Sequence, residues 1–426
     1  LNYILSIRAK TLITKIFIFF LILIAPEALL GQADDSESKA NAYEFGVSYT
    51  GDIFSNIAGG NDTGIRYLDN IDVDLQINFG VLNPKLEGTT LYAYGMGNQG
   101  GSISGLAEDI QGLSNIESEN SWRMYEFWAQ KKLYSLNTSV LVGLYDVNSE
   151  FNALNSSALF LNSSHGIDPS IAFSGVLGPS IFPYTSLGAR IKVNPAKGFI
   201  IQGAVLDGVP SDPGNTRGTK VFLRERDGLF MIGEIGYHSS DADLNTQSRR
   251  YRLKQRLDPG IESSNNVALG GWYYTQERGV WGNPTAAENE YGVYALGEYQ
   301  VFADEQNSPQ SLRVFARVGL ANPDINILGG FAGAGFVLGG LIPNRPQDKT
   351  GLAIAYASAS SSYIDNNLLI SGQRQDQAET NIEITHQFVL NDHVHIQGNM
   401  QYIVNPGFNP GLDNALVIGT RFVFSL

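Results

Sequence analysis

Along much of this chain apolar and polar residues alternate with a period of two. From Asn70 to Val81 the odd positions hold Ile71, Val73, Leu75, Ile77, Phe79 and Val81, and the even ones Asn70, Asp72, Asp74, Gln76, Asn78 and Gly80. Toward the C-terminus, Val394, Ile396, Met400, Tyr402 and Val404 alternate with His395, Gln397, Asn399, Gln401 and Ile403. Successive side chains of a β-strand point to opposite faces, so each stretch predicts a strand with one apolar and one polar face. Length decides the class. Strands of small soluble domains run ~5–6 residues, whereas a tilted strand that crosses a bilayer needs ~9–11, with one face in lipid and the other in water.

The same reading along the whole chain predicts about sixteen strands, near 43–51, 69–81, 88–98, 121–132, 137–146, 184–193, 198–207, 228–238, 266–276, 289–301, 310–320, 329–340, 350–358, 380–389, 392–403 and 414–426. Several odd-numbered connections are long (52–68, 99–120, 147–183, 208–227, 359–379) and most even-numbered ones short (82–87, 133–136, 194–197, 390–391). Short turns at one rim and long loops at the other predict an all-β, antiparallel transmembrane barrel with both termini periplasmic. Connection 239–265 breaks the rhythm, as a hidden hairpin around Arg249–Lys254 or as an extended turn. The last segment, ALVIGTRFVFSL, places Leu416, Ile418, Phe422, Phe424 and Leu426 on one face and Arg421 on the other.

The first residues read differently. Arg8, Lys10 and Lys15 precede an apolar run from Ile16 to Ile24, Pro26 breaks it, and Gly31-Gln32-Ala33 forms a small-x-small site. This predicts a secretory signal peptide over 1–33, the run being shorter than the ~20 apolar residues of a membrane-spanning helix. Residues 34–426 are then expected to form one outer-membrane barrel.

Composition sharpens this picture. Charged residues make up 16% of the chain, below the ~25% of ordinary domains, yet hydrophobic residues make up only 43%. Tyr (20), Phe (22) and Gly (47) are abundant. With no Cys there is no disulfide framework and no thiol nucleophile. Lys plus Arg number 28 against 42 Asp plus Glu, a net charge of −14, which argues against nucleic acid as a partner. His393 and His395 share a face, but nothing beside them completes a metal set, and no Ser/His/acid arrangement stands out; no cofactor, metal or catalysis is expected.

Four stretches carry a family likeness: WRMYEFWAQKKL from Trp122, GLYDVNSEFNALNSSALFLNSSHG from Gly143, GLIPNRPQDKTGLAIAYASASSSY from Gly340 to Tyr363, and IQGNMQYIVNPGFNPGLDNALVIGTRFVF near the end. Collinear over most of the chain, they resemble the carbohydrate-selective porins of the OprB family. The resemblance implies a sixteen-stranded barrel of the bacterial outer membrane that passes mono- or oligosaccharides by diffusion, with outer-membrane lipid around it; a homotrimer is left open.

Parity nominates the residues facing the lumen, since a charge on the lipid face costs up to ~2–4 kcal/mol at mid-bilayer. They are Arg190 with Lys192, Arg313, Arg317, Arg421, Asp72, Asp74, Glu298 and Glu383, with Glu126 and Glu234 beside them. Guanidinium and carboxylate groups can bracket sugar hydroxyls, and Trp272 and Tyr274 can stack on pyranose rings. The competing reading is generic lumen polarity and interfacial aromatics. Connection 147–183, with Phe151, Leu154, Leu159, Phe160, Leu161, Ile171 and Phe173, is too apolar for a free surface loop; it is expected to fold inside and narrow the pore, the alternative being a surface lid or a subunit contact. The alternatives are a general or ion-preferring porin and, in another class, an outer-membrane barrel enzyme such as a lipase or protease.

Overall fold

A computed structural model describes residues 41–239, 265–303 and 310–426. The predicted signal peptide and most of the anomalous connection 239–265 lie outside the described residues.

Sixteen strands form one closed antiparallel barrel in which each pairs with its neighbours in sequence and the last pairs with the first. They are β1 (Tyr43–Ala58), β2 (Gly64–Asn78), β3 (Thr89–Gly100), β4 (Ser121–Leu133), β5 (Thr138–Tyr145), β6 (Ser186–Val193), β7 (Phe199–Asp207) and β8 (Leu229–His238). The second half comprises β9 (Asn266–Val280), β10 (Asn283–Ala303), β11 (Ser311–Ala321), β12 (Leu328–Gly339), β13 (Lys349–Ala359), β14 (Ala378–Asn391), β15 (Val394–Val404) and β16 (Ala415–Ser425). Closure is the physical requirement here. In hydrocarbon no water can satisfy an open edge, so β1 must find β16, and Tyr49 to Ser55 pair in register with Phe424 to Ile418.

Each expected strand has its counterpart, but the strands are longer than alternation alone marked. β1 and β2 run past 51 and 69, leaving only 59–63 between them rather than the long connection expected at 52–68. β9 and β10 likewise rise as a tall hairpin that turns at 281–282. The long loops that remain at that rim include L2 (101–120), L3 (146–185) and L4 (208–228); the opposite rim carries short turns such as 134–137 and 392–393.

The two faces separate as parity requires. On β11, Val314, Val318 and Leu320 are exposed to the outside, while Arg313, Phe315 and Arg317 are buried inside. Strand β4 departs from strict alternation: Tyr125 is an extra residue between the pairs Tyr94–Glu126 and Gly95–Met124, so Tyr125 and Glu126 both point inward. A β-bulge of this kind re-aims side chains without breaking the barrel. Outside, Gly97 sits under the Trp122 ring, where a Cβ would come within 2.7 Å of ring atoms; only glycine admits that overlap.

Candidate functional site: a loop held inside the barrel

L3 leaves the top of β5 and runs through the lumen before returning to β6. Its apolar residues dictate that path. Phe151, Leu154, Leu159, Phe160 and Ile171 are buried with inward side chains of the wall, among them Phe230, Trp272, Tyr274, Tyr294, Leu296 and Phe315. Exposing this set to water would forfeit ~1.5–3 kcal/mol for each large side chain. The wall also makes room. A Cβ on Gly319 would lie 1.5 Å from Asp168 Oδ2, and one on Gly351 would lie 2.6 Å from the Phe160 ring.

A loop without regular structure carries backbone groups that need partners once buried. The wall supplies them with charged side chains. Glu298 accepts hydrogen bonds from Asn155 N (3.2 Å), Ser156 N (2.8 Å) and Ser156 Oγ (2.6 Å). Glu383 accepts from Leu161 N (2.7 Å), Asn162 N (3.0 Å) and Asn399 Nδ2 (2.6 Å). Glu234 accepts from Asn152 N at 2.9 Å and from the Tyr294 hydroxyl at 2.6 Å. Arg317 donates to four loop carbonyls, those of Asn152, Ser164, His165 and Gly166, at 2.9–3.4 Å. Carboxylates thus meet loop N–H groups and a guanidinium meets loop C=O groups, the strong, charge-assisted kind of hydrogen bond. Burial, with Arg317 beside it, pushes His165 of L3 down to about 3, so it packs as a neutral ring against Phe160 and Phe315.

L2 is fastened in the same way nearer the rim. Glu379 accepts from Ile110 N (2.9 Å), Gln111 N (3.2 Å) and Gly407 N (2.7 Å), and Gln401 Nε2 donates to Leu113 O at 2.8 Å.

What L3 leaves open is a cavity of about 320 Å³ between the loop and the inward faces of β1 to β4, β6 to β9 and β14 to β16. The loop contributes Asn148, Ser149, Glu150, Asn155 and Ser163; the wall contributes Ser48, Thr50, Asn70, Asp72, Tyr94, Glu126, Lys192 and Arg421. Asp72 accepts from Tyr94 OH at 2.6 Å and from Ser48 Oγ at 3.2 Å. Arg421 grips Asp52 with two bonds of 2.7 Å and reaches Asn115 Oδ1 at 2.8 Å. Glu150 at the loop's inner edge pairs with Arg190 (2.7 Å) and Lys192 (3.7 Å). Carboxylate, amide, hydroxyl and ammonium groups therefore converge on one cavity.

All ten residues nominated from the sequence face inward, but the structure sorts them into different places. Asp72 and Arg421 line the cavity, and Arg190 stands one residue pair behind it through Glu150. Glu298, Glu383 and Arg317 hold L3, and Trp272 and Tyr274 lie beneath it, 4% and 1% exposed. Asp74 and Arg313 are buried on the inward faces of β2 and β11. Ser48, Thr50, Asn70 and Tyr94 share that inward parity and were legible from it, whereas Asn148, Ser149, Glu150 and Asn155 sit on irregular backbone with no period to reveal them.

A family model described as "Carbohydrate-selective porin, OprB family" matches residues 62–426. Porin B of Pseudomonas aeruginosa is 21% identical over 411 residues, covering 91% of this chain and 88% of that protein. The high-pH structure of Pseudomonas putida OprB superposes with a TM-score of 0.75 at 19% identity, covering 90% of this chain and 94% of that one. Its low-pH structure gives a TM-score of 0.56 at 16% identity, with 90% and 93% covered. The barrel is that of outer-membrane porins, and the chain belongs to the carbohydrate-selective porin, OprB family.

Proposed function

We propose that this chain is an outer-membrane channel through which carbohydrates diffuse passively along the passage beside L3, and that it is not an enzyme. The observation that carries the reading is the polar cavity beside L3, about 320 Å³ and walled by Asp72, Tyr94, Glu126, Glu150, Lys192, Arg421 and loop amides. A sugar crossing it exchanges water for a ring of donors and acceptors one step at a time. Binding there must be weak enough to permit release, which side-chain contacts shared among many groups provide.

L3 is the constriction in this reading, the long-loop rim faces outward and the short turns face the periplasm. The apolar outer faces, such as Val314, Val318 and Leu320 on β11, meet outer-membrane lipid. The test is a swelling assay in liposomes containing the refolded barrel. Mono- or oligosaccharides should enter faster than uncharged polyols of equal size. Equal entry would leave a pore without sugar preference.

A further inference from the structure

Buried amides on the inward wall mostly hold the loops, or hold the groups that hold them. Gln401 donates to Leu113 O at 2.8 Å, Gln397 to Leu159 O at 2.7 Å and Asn399 to Glu383 at 2.6 Å. Gln202 donates to Glu150 O and to Glu234, both at 2.8 Å. Asn70 and Gln387 differ. Both line the cavity beside L3, and they are 3% and 2% exposed. Yet neither side chain enters a hydrogen bond with any described residue, which leaves Asn70 Nδ2 and Gln387 Oε1 without a protein partner.

Strand parity explains why they face the lumen. Asn70 pairs in register with Thr50 and Asn98, and Gln387 with Lys349 and Gln397, all on inward faces. Parity does not explain why they are amides. Burying an amide with no protein partner is costly, and an apolar side chain of the same shape would avoid that cost. The fold therefore has no use for these two amides, and the cavity does. Charged groups of the lining are by contrast already engaged: Asp72 by Tyr94 and Ser48, Arg421 by Asp52 and Asn115, Glu150 by Arg190 and Lys192. A solute hydroxyl arriving at those groups competes with bonds already made. At Asn70 and Gln387 it displaces only water. The two also stand at different depths, Asn70 in the middle of β2 and Gln387 toward the short-turn end of β14, so a solute meets them in turn.

We propose that Asn70 and Gln387 are specificity-determining residues of the channel, each taking a hydroxyl of an uncharged sugar. Asn70 Nδ2 donates to a hydroxyl oxygen, and Gln387 Oε1 accepts from a hydroxyl O–H. Two such sites in series give weak, successive holds rather than one tight one, which is what passage with release requires. The proposal rests on the reading that carbohydrates cross this cavity, and it names the part of the wall that tells a hydroxyl from a hydrogen.

The test is single-channel current block of the whole barrel in a planar bilayer, with glucose and its monodeoxy analogues as probes. In wild type glucose should block, and removing a hydroxyl that is read should raise the half-blocking concentration on the order of tenfold. Asn70→Leu and Gln387→Met, close in shape to the originals, should each raise the half-blocking concentration of glucose by a similar factor. In each variant the analogue lacking the hydroxyl read there should block as well as glucose does. Both variants should keep wild-type gel mobility and a urea midpoint no lower than wild type, because neither amide holds the fold. The same analogue penalties in wild type and both variants, or a lowered urea midpoint in either, would overturn the proposal and leave sugar passage standing. Wild-type current indifferent to glucose and every analogue would overturn the reading beneath it as well.

Discussion

Glu383 offers the sharpest handle on whether L3 governs the pore. Its carboxylate is fully buried on β14 and takes three hydrogen bonds, two of them from consecutive backbone N–H groups of the loop. Replacing it with Ala removes the acceptor of the Leu161 N and Asn162 N hydrogen bonds. An unsatisfied buried donor costs about 1–3 kcal/mol, so the two together cost about 2–6 kcal/mol, partly offset by water entering from the cavity. Even the lower figure raises the population of a released loop on the order of thirtyfold, at 1.4 kcal/mol per tenfold. Glu383→Gln keeps one acceptor oxygen and should retain most of the anchoring. Single-channel recording in a planar bilayer reads the difference. The Ala variant should show a higher mean conductance with frequent larger openings, and the Gln variant a trace close to wild type. An Ala variant whose barrel is folded by gel mobility but whose conductance and noise match wild type would refute the view that this carboxylate holds the constriction.

Other consequences follow from the same contacts. Gly351→Leu puts a side chain where the Phe160 ring now lies; it should displace that part of L3 and raise conductance, with no change in barrel mobility on gels. Phe151→Ala empties a fully buried site in the packed lumen and should destabilise the protein by ~3–5 kcal/mol, read as a lower urea midpoint. Burial, with Glu117 nearby, raises the Asp109 carboxyl of L2 from 3.8 to about 7. The native state therefore holds this proton more tightly than the unfolded chain, so its contribution to L2 is full below about pH 4 and is lost as pH rises through about 7. Amide hydrogen exchange of residues 104–117 should accordingly speed up, beyond the intrinsic rate, between pH 5 and pH 8, and Asp109→Asn should flatten that dependence.

The barrel was legible because a bilayer imposes a two-sided environment on every strand, and alternation records it residue by residue. Arg313, Arg317 and Arg421 were assigned inward on parity alone, and each is buried inside. Alternation did not mark how far β1 continues, since past Gly51 the inward face holds the apolar Phe54 and the outward face the polar Ser55, which breaks the period. Nor could it show the bulge at Tyr125–Glu126, which breaks the period it relies on. The apolar content of L3 foretold its entry into the lumen. What it could not foretell is that this entry recruits Glu298, Glu383 and Arg317 to backbone groups far away in sequence, and covers Trp272 and Tyr274. Parity assigns a side chain to a face; which partner meets it there is a property of the closed barrel.

The account rests on a sugar-accepting passage beside L3, and current block tests it most directly. Ion current through single reconstituted channels should fall in a concentration-dependent way when mono- or oligosaccharides are added, and less steeply in Asp72→Asn, which weakens an acceptor lining the passage. Current indifferent to every sugar in the panel, in a channel that conducts ions normally, would contradict it.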